Sequence, residues 1–236
     1  MTHLTTIAFD ADDTLWHNET HFHLTQTRFA ELLADAADPS HLAERLEAAE
    51  RRNLVHYGYG VKGFTLSMIE TAIEVTEGRV PAAVISEILA AGLDMLAHPV
   101  ELLPHARQAV ETLARSHRVL LITKGDLLHQ ERKVAASGLG ELFHGVEIVS
   151  EKTPETYRAI FARHGEGAER ALMVGNSMKS DVLPAIQAGA HGVHVPFHLS
   201  WALEHAEPPL AHPRFHALDD LSGLPGLVAK LGANLP

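Results

Sequence analysis

The sequence predicts an α/β fold, a doubly wound parallel sheet with a helical domain inserted after the first strand. Three features predict it: short apolar runs that end in polar residues, helical segments between those runs, and one long helical stretch after the first run. Continuous apolar runs of about four to six residues are typical of strands buried on both faces, as in parallel sheets. Strands that alternate with helices in this way build βαβ units and a Rossmann-like sheet.

The predicted strands come in order along the chain, and each is apolar almost throughout. The first covers Thr6 to Phe9 and ends in acidic residues, and the second covers Arg118 to Ile122 and ends at Thr123. The later strands are residues 146–149, 171–174 and 193–195. The segments between them have helical periodicity. Ala106, Val110 and Leu113 would share one helix face, as would Val182, Ile186 and Gly189.

The spacing of the strand ends indicates an insertion. About one βα repeat separates Thr123 from Lys152 and Lys152 from Asn176, whereas the first connection has about 80 surplus residues. Helical periodicity covers residues 22–33, 42–54, 66–75 and 84–96 of that connection. We therefore expect an α/β catalytic core of residues 1–16 and 100–236, with a helical bundle of residues 17–99 as a second domain.

Composition excludes several function classes. The chain has 236 residues, of which 46% are hydrophobic and 21% charged, as in ordinary globular proteins. It has no cysteine, which excludes disulfides, thiolate zinc sites, iron–sulfur clusters and a thiol nucleophile. The formal charge of -11 argues against nucleic acid as a partner, because phosphate-backbone binding needs clustered Lys and Arg.

No targeting or membrane segment is evident in the sequence. Residues 1–10 (MTHLTTIAFD) already resemble a strand and lack the basic start and apolar run of a secretory peptide. The longest apolar runs are far shorter than the ~20 residues that span a bilayer. We expect a cytoplasmic enzyme with no membrane partner.

Histidine is unusually common, with 18 residues in the chain. Two clusters stand out: His17, His21 and His23 after the first strand, and His191, His194 and His198 near the end. In neither cluster does a cysteine or a fixed helical pair complete a transition-metal site. We expect these histidines to be solvated surface side chains.

The polar residues at the strand ends predict the chemistry. In an open α/β sheet, ligands bind beyond the carboxyl ends of the strands, where the chain places Asp10, Asp12, Thr123, Asn176 and Asp181. Asp10 can attack phosphorus as a nucleophile, and Asp12 can donate and accept a proton. Mg²⁺ takes oxygen ligands and would offset the repulsion between anionic nucleophile and anionic substrate.

The next residues on the chain complete the predicted site. The Thr123 hydroxyl and nearby backbone N–H groups can hold phosphoryl oxygens. Lys152 precedes a helix start, with Thr153 as N-cap and Pro154 at the first helical position, and would neutralise the remaining phosphate charge.

Four segments together resemble the motifs of the haloacid dehalogenase superfamily, in the family's order. They are residues 10–15 (DADDTL), residues 123–125 (TKG), Lys152, and residues 175–181 (GNSMKSD). The helical insertion stands where the family's C1 cap stands, and the resemblance covers the chain to about His198. It implies that Asp10 is the nucleophile, Asp12 the acid and base, Thr123 a phosphate binder and Lys152 the charge clamp. It also implies Mg²⁺ bound by Asp10, by the backbone carbonyl of Asp12 and by the fourth motif.

This chain departs from the family pattern at three points. Asn176 stands where aspartate is usual, so one negative charge is lost, and Asp181 is a further candidate ligand, directly or through water. Lys124 replaces the commoner asparagine after the threonine and adds a cation that can contact substrate. Lys152 is followed by Thr153 and Pro154, one residue fewer before proline than the common pattern.

Residues 58–63 (GYGVKG) match the dinucleotide-binding spacing G-x-G-x-x-G. That motif needs a strand before it, whereas residues 47–56 are charged and helical, so we reject dinucleotide binding. We expect a flexible glycine-rich loop of the cap, with Lys62 as either a substrate contact or a solvated lysine.

The sequence thus predicts a Mg²⁺-dependent phosphatase that hydrolyses a small phosphorylated metabolite through an aspartyl-phosphate intermediate. Dehalogenases of the family lack the second aspartate of the first motif, so Asp12 favours the phosphatase branch. The alternatives are a phosphotransferase or phosphomutase on the same scaffold, a 2-haloacid dehalogenase, and a non-catalytic protein that binds a phosphometabolite.

Overall fold

A computed structural model of the chain describes residues 3–199 and 201–233. Its centre is a six-stranded sheet, parallel throughout, with the strand order β3-β2-β1-β4-β5-β6. The strands are β1 (Thr6–Phe9), β2 (Arg118–Lys124), β3 (Gly145–Val149), β4 (Ala171–Gly175), β5 (His191–His194) and β6 (Phe215–Ala217). This confirms the predicted α/β, Rossmann-like fold class.

The described residues form nine α-helices, eight between the strands and one after the last strand. Four precede the second strand in one block: α1 (Glu19–Leu32), α2 (Pro39–Tyr57), α3 (Val61–Val75) and α4 (Ala82–Ala97). The others are α5 (Ala106–Ala114), α6 (Leu127–Ser137), α7 (Pro154–His164), α8 (Leu183–Ala188) and α9 (Leu224–Ala233). None of the described helices is long and apolar enough to cross a membrane.

Both faces of the sheet are buried, which explains why its central strands are continuous apolar runs. Phe9 packs on one face with residues of α5 and α9, including Val110 and Val228. Ala8 points to the opposite face, where Tyr157 of α7 lies. The central strands are therefore fixed from both sides, and so are the residues at their carboxyl ends.

The chain divides into two compact units. The first, called here the α/β unit, comprises residues 1–19, 100–124 and 131–236, and the second, the helical unit, comprises residues 20–99 and 125–130. The helical unit has its own apolar core, which includes Phe29, Leu46 and Met68. The predicted bounds of 1–16, 17–99 and 100–236 differ from these units chiefly at residues 125–130, which group with the helical unit.

The glycine-rich segment is a tight helix–helix turn, which corrects the expectation of a flexible loop. Gly58, at φ 71°, ends α2, and Gly60, at φ 115°, immediately precedes α3. A Cβ at Gly60 would lie 2.8 Å from a carboxylate oxygen of Asp126, so the position requires glycine for space as well as for conformation.

Two of the histidines expected to be solvated, His191 and His194, form hydrogen bonds with protein groups instead. His191 Nδ1 lies 2.9 Å from His216 Nε2, so the two rings share a hydrogen bond between β5 and β6. His194 Nε2 lies 3.0 Å from the backbone oxygen of Asn176. Solvation was therefore the wrong expectation for His191 and His194.

Candidate active site

The carboxyl edge of the sheet gathers the polar residues that follow β1, β2 and β4. Phe9 is in register with Leu121 of β2 and Val174 of β4, so Asp10 emerges between these two neighbours at the point where the strand order reverses. The Asp10 backbone N–H donates to the Val174 carbonyl at 2.8 Å, which fixes where the side chain starts. Such a reversal point is where open α/β sheets bind their ligands.

Lys152 joins two of the predicted site residues. Its ammonium lies 2.5 Å from Asp10 Oδ1 and 2.6 Å from Asp181 Oδ1, and all three side chains are buried. The lysine directly precedes Thr153, whose side chain caps α7 by accepting the Thr156 N–H, as predicted. The site therefore holds a buried ammonium group shared by two carboxylates.

A glycine and a backbone amide position the Asp181 carboxylate. A Cβ at Gly175 would overlap Asp181 Oδ2, so any larger residue there would displace the carboxylate. The same oxygen accepts the Ser177 N–H at 3.0 Å. Both oxygens of Asp181 thus accept hydrogen bonds from protein groups, one from Lys152 and one from Ser177.

Thr14 connects Asp10 to Asn176. Its hydroxyl oxygen lies 3.1 Å from Asp10 Oδ2 and 3.3 Å from Asn176 Oδ1, and it accepts the Asn176 N–H at 3.1 Å. The two side-chain oxygens therefore face the same small region. A carboxylate oxygen and an amide oxygen are the types of ligand that Mg²⁺ takes.

Asp12 has different partners from Asp10. Its Oδ1 accepts hydrogen bonds from the Trp16 indole at 2.7 Å and from the Lys133 ammonium at 2.6 Å. Lys133 also donates to Asn18 Oδ1 at 3.2 Å. Asp10 and Asp12 are therefore held by different lysines, Asp10 by Lys152 and Asp12 by Lys133.

A turn formed by residues 13–16 places Asp12 beside Trp16. Asp13 adopts a left-handed conformation with φ 60°, and its N–H donates to the Trp16 carbonyl at 2.7 Å. The Asp13 carboxylate accepts the backbone N–H groups of Asn18 and Glu19, at the start of α1. The aspartates after β1 thus include a structural one, which closes the turn and caps the following helix.

Thr123 and Lys124 end β2 at the same sheet edge. Thr123 is buried, and its hydroxyl lies 3.3 Å from the Lys124 carbonyl. The Lys124 ammonium donates to Glu204 Oε1 and to Ser180 Oγ, each at 2.8 Å. Lys124 was expected to offer its charge to substrate, but the structure shows that charge paired with a protein carboxylate.

Lys62 lies in the helical unit, at the start of α3. Its N–H donates to Asp126 Oδ2 at 3.2 Å, and its ammonium lies 3.3 Å from Asp126 Oδ1. Both residues belong to the helical unit. The structure thus pairs Lys62 with a carboxylate of its own unit and leaves its contact with substrate a prediction.

Burial and neighbouring charges shift the pKa values of the central groups. Burial raises the pKa of Asp10 to about 7, with Asp181 and Asp12 acting in the same direction and Lys152 against it. Burial lowers the pKa of Lys152, but Asp10 and Asp181 outweigh this and hold it well above its ordinary value. Burial also raises the pKa of Glu19, and the charges of Asp12 and Glu204 act in the same direction, which together bring it to about 7.

The charge balance of the site fits a divalent cation. Asp10, Asp12, Asp181 and Glu204 supply four carboxylates against the ammonium groups of Lys124, Lys133 and Lys152. An anionic substrate would meet this negative charge, and a bound cation would offset the repulsion. Across residues 3–199 and 201–233, no three His, Cys, Asp or Glu side chains form a group that could hold a metal. The donors present suit Mg²⁺, which keeps several waters and needs few protein ligands.

Sequence reasoning missed three contributors to this site. Lys133 lies within α6, Glu204 lies on a short helical turn (Ala202–Glu204), and Thr14 stands inside the first motif without an assigned role. The first two lie far along the chain from their partners, and no local pattern marks them. Thr14 could have been found, because it lies four residues after Asp10 in a turn that follows the strand.

Comparison with known proteins agrees with this geometry. Residues 4–189 match the family described as haloacid dehalogenase-like hydrolase. No curated protein matches the chain. A haloacid dehalogenase-like family hydrolase from Xanthomonas campestris is 42% identical over 98% of this chain and 92% of its own, with a TM-score of 0.88.

More distant solved structures share the fold. The hydrolase YfnB of Bacillus subtilis, bound to magnesium, has a TM-score of 0.68 at 15% identity and covers 96% of this chain and 99% of its own. The L-2-haloacid dehalogenase of Xanthobacter autotrophicus has a TM-score of 0.63 at 19% identity and covers 96% and 98%. The family match over most of the chain and the 42% identical relative establish that this chain belongs to the haloacid dehalogenase-like hydrolases.

Proposed function

We propose that this hydrolase is a Mg²⁺-dependent phosphatase that cleaves a small organic phosphate monoester through an aspartyl-phosphate on Asp10. The observation that carries the proposal is the presence of two separately held carboxylates after β1. Asp10 pairs with the buried Lys152, and Asp12 pairs with Trp16 and Lys133. Phosphate transfer through an enzyme carboxylate needs such a pair, because one group attacks while the other moves protons.

In the first step, a carboxylate oxygen of Asp10 attacks phosphorus, and the bond between phosphorus and the ester oxygen breaks. Asp12 gives a proton to the departing oxygen, so the alcohol leaves as a neutral molecule. Lys152 keeps Asp10 oriented through its hydrogen bond to Oδ1, and Asp181 holds the lysine from the other side. We therefore assign Asp181 a positioning role in place of the ligand role expected from the sequence.

In the second step, Asp12 removes a proton from water, and the water oxygen attacks the phosphorus of the aspartyl-phosphate. Phosphate leaves, and the Asp10 carboxylate and the protonated Asp12 are restored. The same group acts as acid and then as base, so no further titrating residue is needed.

The remaining groups stabilise the phosphoryl oxygens. Lys152 carries a fixed positive charge in a buried site, where charge stabilisation is stronger than in water, and Thr123 lies at the adjacent strand end. Mg²⁺, held by Asp10, Asn176 and the backbone carbonyl of Asp12, would supply further positive charge to the phosphoryl group. We propose that the helical unit is the family's cap and carries substrate specificity, with Lys62 as a candidate contact.

A phosphate-release screen tests the function. The full chain is incubated with a panel of phosphorylated metabolites and Mg²⁺, and with 2-haloacids, while free phosphate and free halide are measured. We expect phosphate release that requires Mg²⁺, and a loss of about 10²- to 10⁴-fold in kcat for Asp12→Asn, which keeps an oxygen for Trp16 but cannot transfer the proton.

The other products of this screen each contradict the proposal. Halide release would make the chain a dehalogenase, and transfer of phosphate to a second metabolite without free phosphate would make it a phosphotransferase. Tight binding of a phosphometabolite at saturating Mg²⁺ without turnover would make it a binding protein.

A further inference from the structure

Glu204 lies outside the part of the chain that matches the family, yet it contacts two of the motifs. The family match ends at residue 189, and Glu204 follows on the helical turn of residues 202–204. Its side chain is 17% exposed, so the carboxylate is largely removed from water. A carboxylate at that burial needs partners to remain ionised.

The partners of Glu204 come from the ends of two different strands. Oε1 accepts from the Lys124 ammonium at 2.8 Å, and Oε2 accepts from the Ser177 hydroxyl. Burial raises the pKa of Glu204, but Lys124 and the hydrogen bonds from Lys124, Ser177 and Ser180 outweigh this and hold it below its ordinary value. Glu204 is therefore an anion.

The position of the turn is fixed independently of Glu204. The Lys179 ammonium donates to the Leu203 carbonyl at 2.8 Å, and Leu203 is itself buried. The loop that carries Asn176 and Asp181 thus binds the turn through both the backbone of Leu203 and the side chain of Glu204. Removal of the Glu204 charge alone would leave the Lys179 contact in place.

The Lys124 side chain lies on the same face of the sheet as Asp10. Side chains alternate along a strand, and Phe9 is in register with Leu121, so Asp10, Ile122 and Lys124 lie on one face. Without Glu204, an ammonium group on this face would act on the phosphate and the cation with opposite signs. It would attract the anion and repel the cation.

We propose that Glu204 is a positioning residue that holds the Lys124 ammonium against the loop of residues 177–180 and cancels its charge, and so sets the balance between anion and cation affinity at the active site. The inference rests on the proposed function, because it assigns Lys124 and Glu204 to the phosphate and Mg²⁺ site. It also gives Lys124 a role other than the direct substrate contact expected from the sequence.

Calorimetric titration of the full chain tests the proposal with two probes, inorganic phosphate at saturating Mg²⁺ and Mg²⁺ alone. For Glu204→Gln we expect phosphate to bind about five- to tenfold more tightly and Mg²⁺ to bind more weakly by a similar factor. The double variant Lys124→Met with Glu204→Gln should bring both dissociation constants back toward the wild-type values. A residue that only supports the fold would change both affinities in the same direction.

Glu151 offers a matched control. Its carboxylate lies 3.8 Å from the same Lys124 ammonium, but the side chain is 52% exposed. Because solvent screens such a pair, Glu151→Gln should leave both dissociation constants within about twofold of wild type. Equal effects of Glu151→Gln and Glu204→Gln would overturn the proposal.

If Glu204→Gln does not fold, the single variant Lys124→Met tests the same proposal. It leaves the Glu204 charge uncancelled, so phosphate should bind more weakly and Mg²⁺ more tightly. If Lys124→Met folds and binds both probes as the wild type does, the proposal about Glu204 is overturned. Binding of phosphate and Mg²⁺ by the wild-type chain would in that case still support the proposed function. A wild-type chain that binds neither probe would instead overturn the proposed function, and this inference with it.

Discussion

The ion pairs described in the helical unit each include an exposed side chain, whereas those of the α/β unit also include buried ones. In the helical unit, Arg28 forms ion pairs with Glu87 and Asp94, and all three side chains are at least 41% exposed. In the α/β unit, Lys152 pairs with Asp10 and Asp181, and none of these side chains is more than 9% exposed. Removing two charges from water costs free energy that their mutual attraction often does not recover, so a buried ion pair contributes little net stability. The contrast therefore agrees with the proposal that the sheet edge is the active site.

The largest expected effect comes from the buried lysine. Lys152→Met removes the charge that orients Asp10 and would neutralise the phosphate, and it leaves two carboxylates without their shared partner. We expect a loss of about 10³-fold or more in kcat, together with about 3–5 kcal/mol of destabilisation. Initial rates of phosphate release and urea unfolding measure the two effects. Activity within tenfold of wild type would remove Lys152 from the reactive site.

The next effect concerns the apolar core of the helical unit. Met68 of α3 is fully buried, so Met68→Ala should leave a cavity and lower the free energy of unfolding by about 2–5 kcal/mol. Leu66 lies on the same helix with 41% exposure, and Leu66→Ala should have an effect below about 1 kcal/mol. Urea denaturation of both variants checks the difference, and equal losses would contradict the assigned core.

A smaller loss of folding stability should appear as pH falls, because of His191. Burial, with help from His216 and Arg214, lowers the pKa of His191 from 6.5 to about 4, so the unfolded chain takes up this proton before the folded chain does. The contribution to stability is therefore present above pH 6.5 and is lost as pH falls from 6.5 to about 4. His191 is partly exposed, and after allowance for solvent screening we expect the loss to be on the order of 1 kcal/mol.

Thermal unfolding across this pH range measures the effect of His191. His191→Gln should reduce the loss of stability between pH 6.5 and about 4. His56→Gln, at an exposed histidine of the helical unit, should leave that loss unchanged. A decline that persists unaltered in His191→Gln would show that other groups cause it.

The smallest expected effect is at the exposed arginine. Arg28→Met breaks the ion pairs with Glu87 and Asp94, but solvent screens exposed pairs, so these contribute little to stability. Urea denaturation should therefore show almost no loss of stability, and phosphate release should be unaltered. A loss of stability as large as that of Lys152→Met would show that the exposed and the buried ion pairs contribute equally, which would contradict the difference between the two units.

Much of the fold could be predicted because parallel strands leave a strong local signal. Each central strand is a short apolar run with polar residues at its end, and the sheet itself brings those ends together. β6 was missed because Phe215–Ala217 is only three residues long and is not a continuous apolar run. Its pairing with β5 depends on tertiary contacts that the sequence does not display.

The site could be predicted only where its residues follow strands. Asp10, Asn176 and Asp181 were found for that reason, whereas the carboxylate partners of Lys124 and Lys62 were not. Glu204 reaches Lys124 from a loop after β5, and Asp126 pairs with Lys62 although the two residues are 64 positions apart in the chain. Such contacts depend on how the chain folds back in space, so residue types and spacing alone do not reveal them.

The most direct test of the account is to find the phosphoryl group on the protein. A substrate from the screen is mixed with the Mg²⁺-loaded chain, the reaction is quenched with acid within one turnover, and the digested peptides are analysed by mass spectrometry. We expect one phosphoryl group on the peptide that contains Asp10, and none with Asp10→Asn. Turnover of the substrate with the phosphoryl group on another residue, or undiminished turnover by Asp10→Asn, would contradict the assignment of Asp10 as the nucleophile.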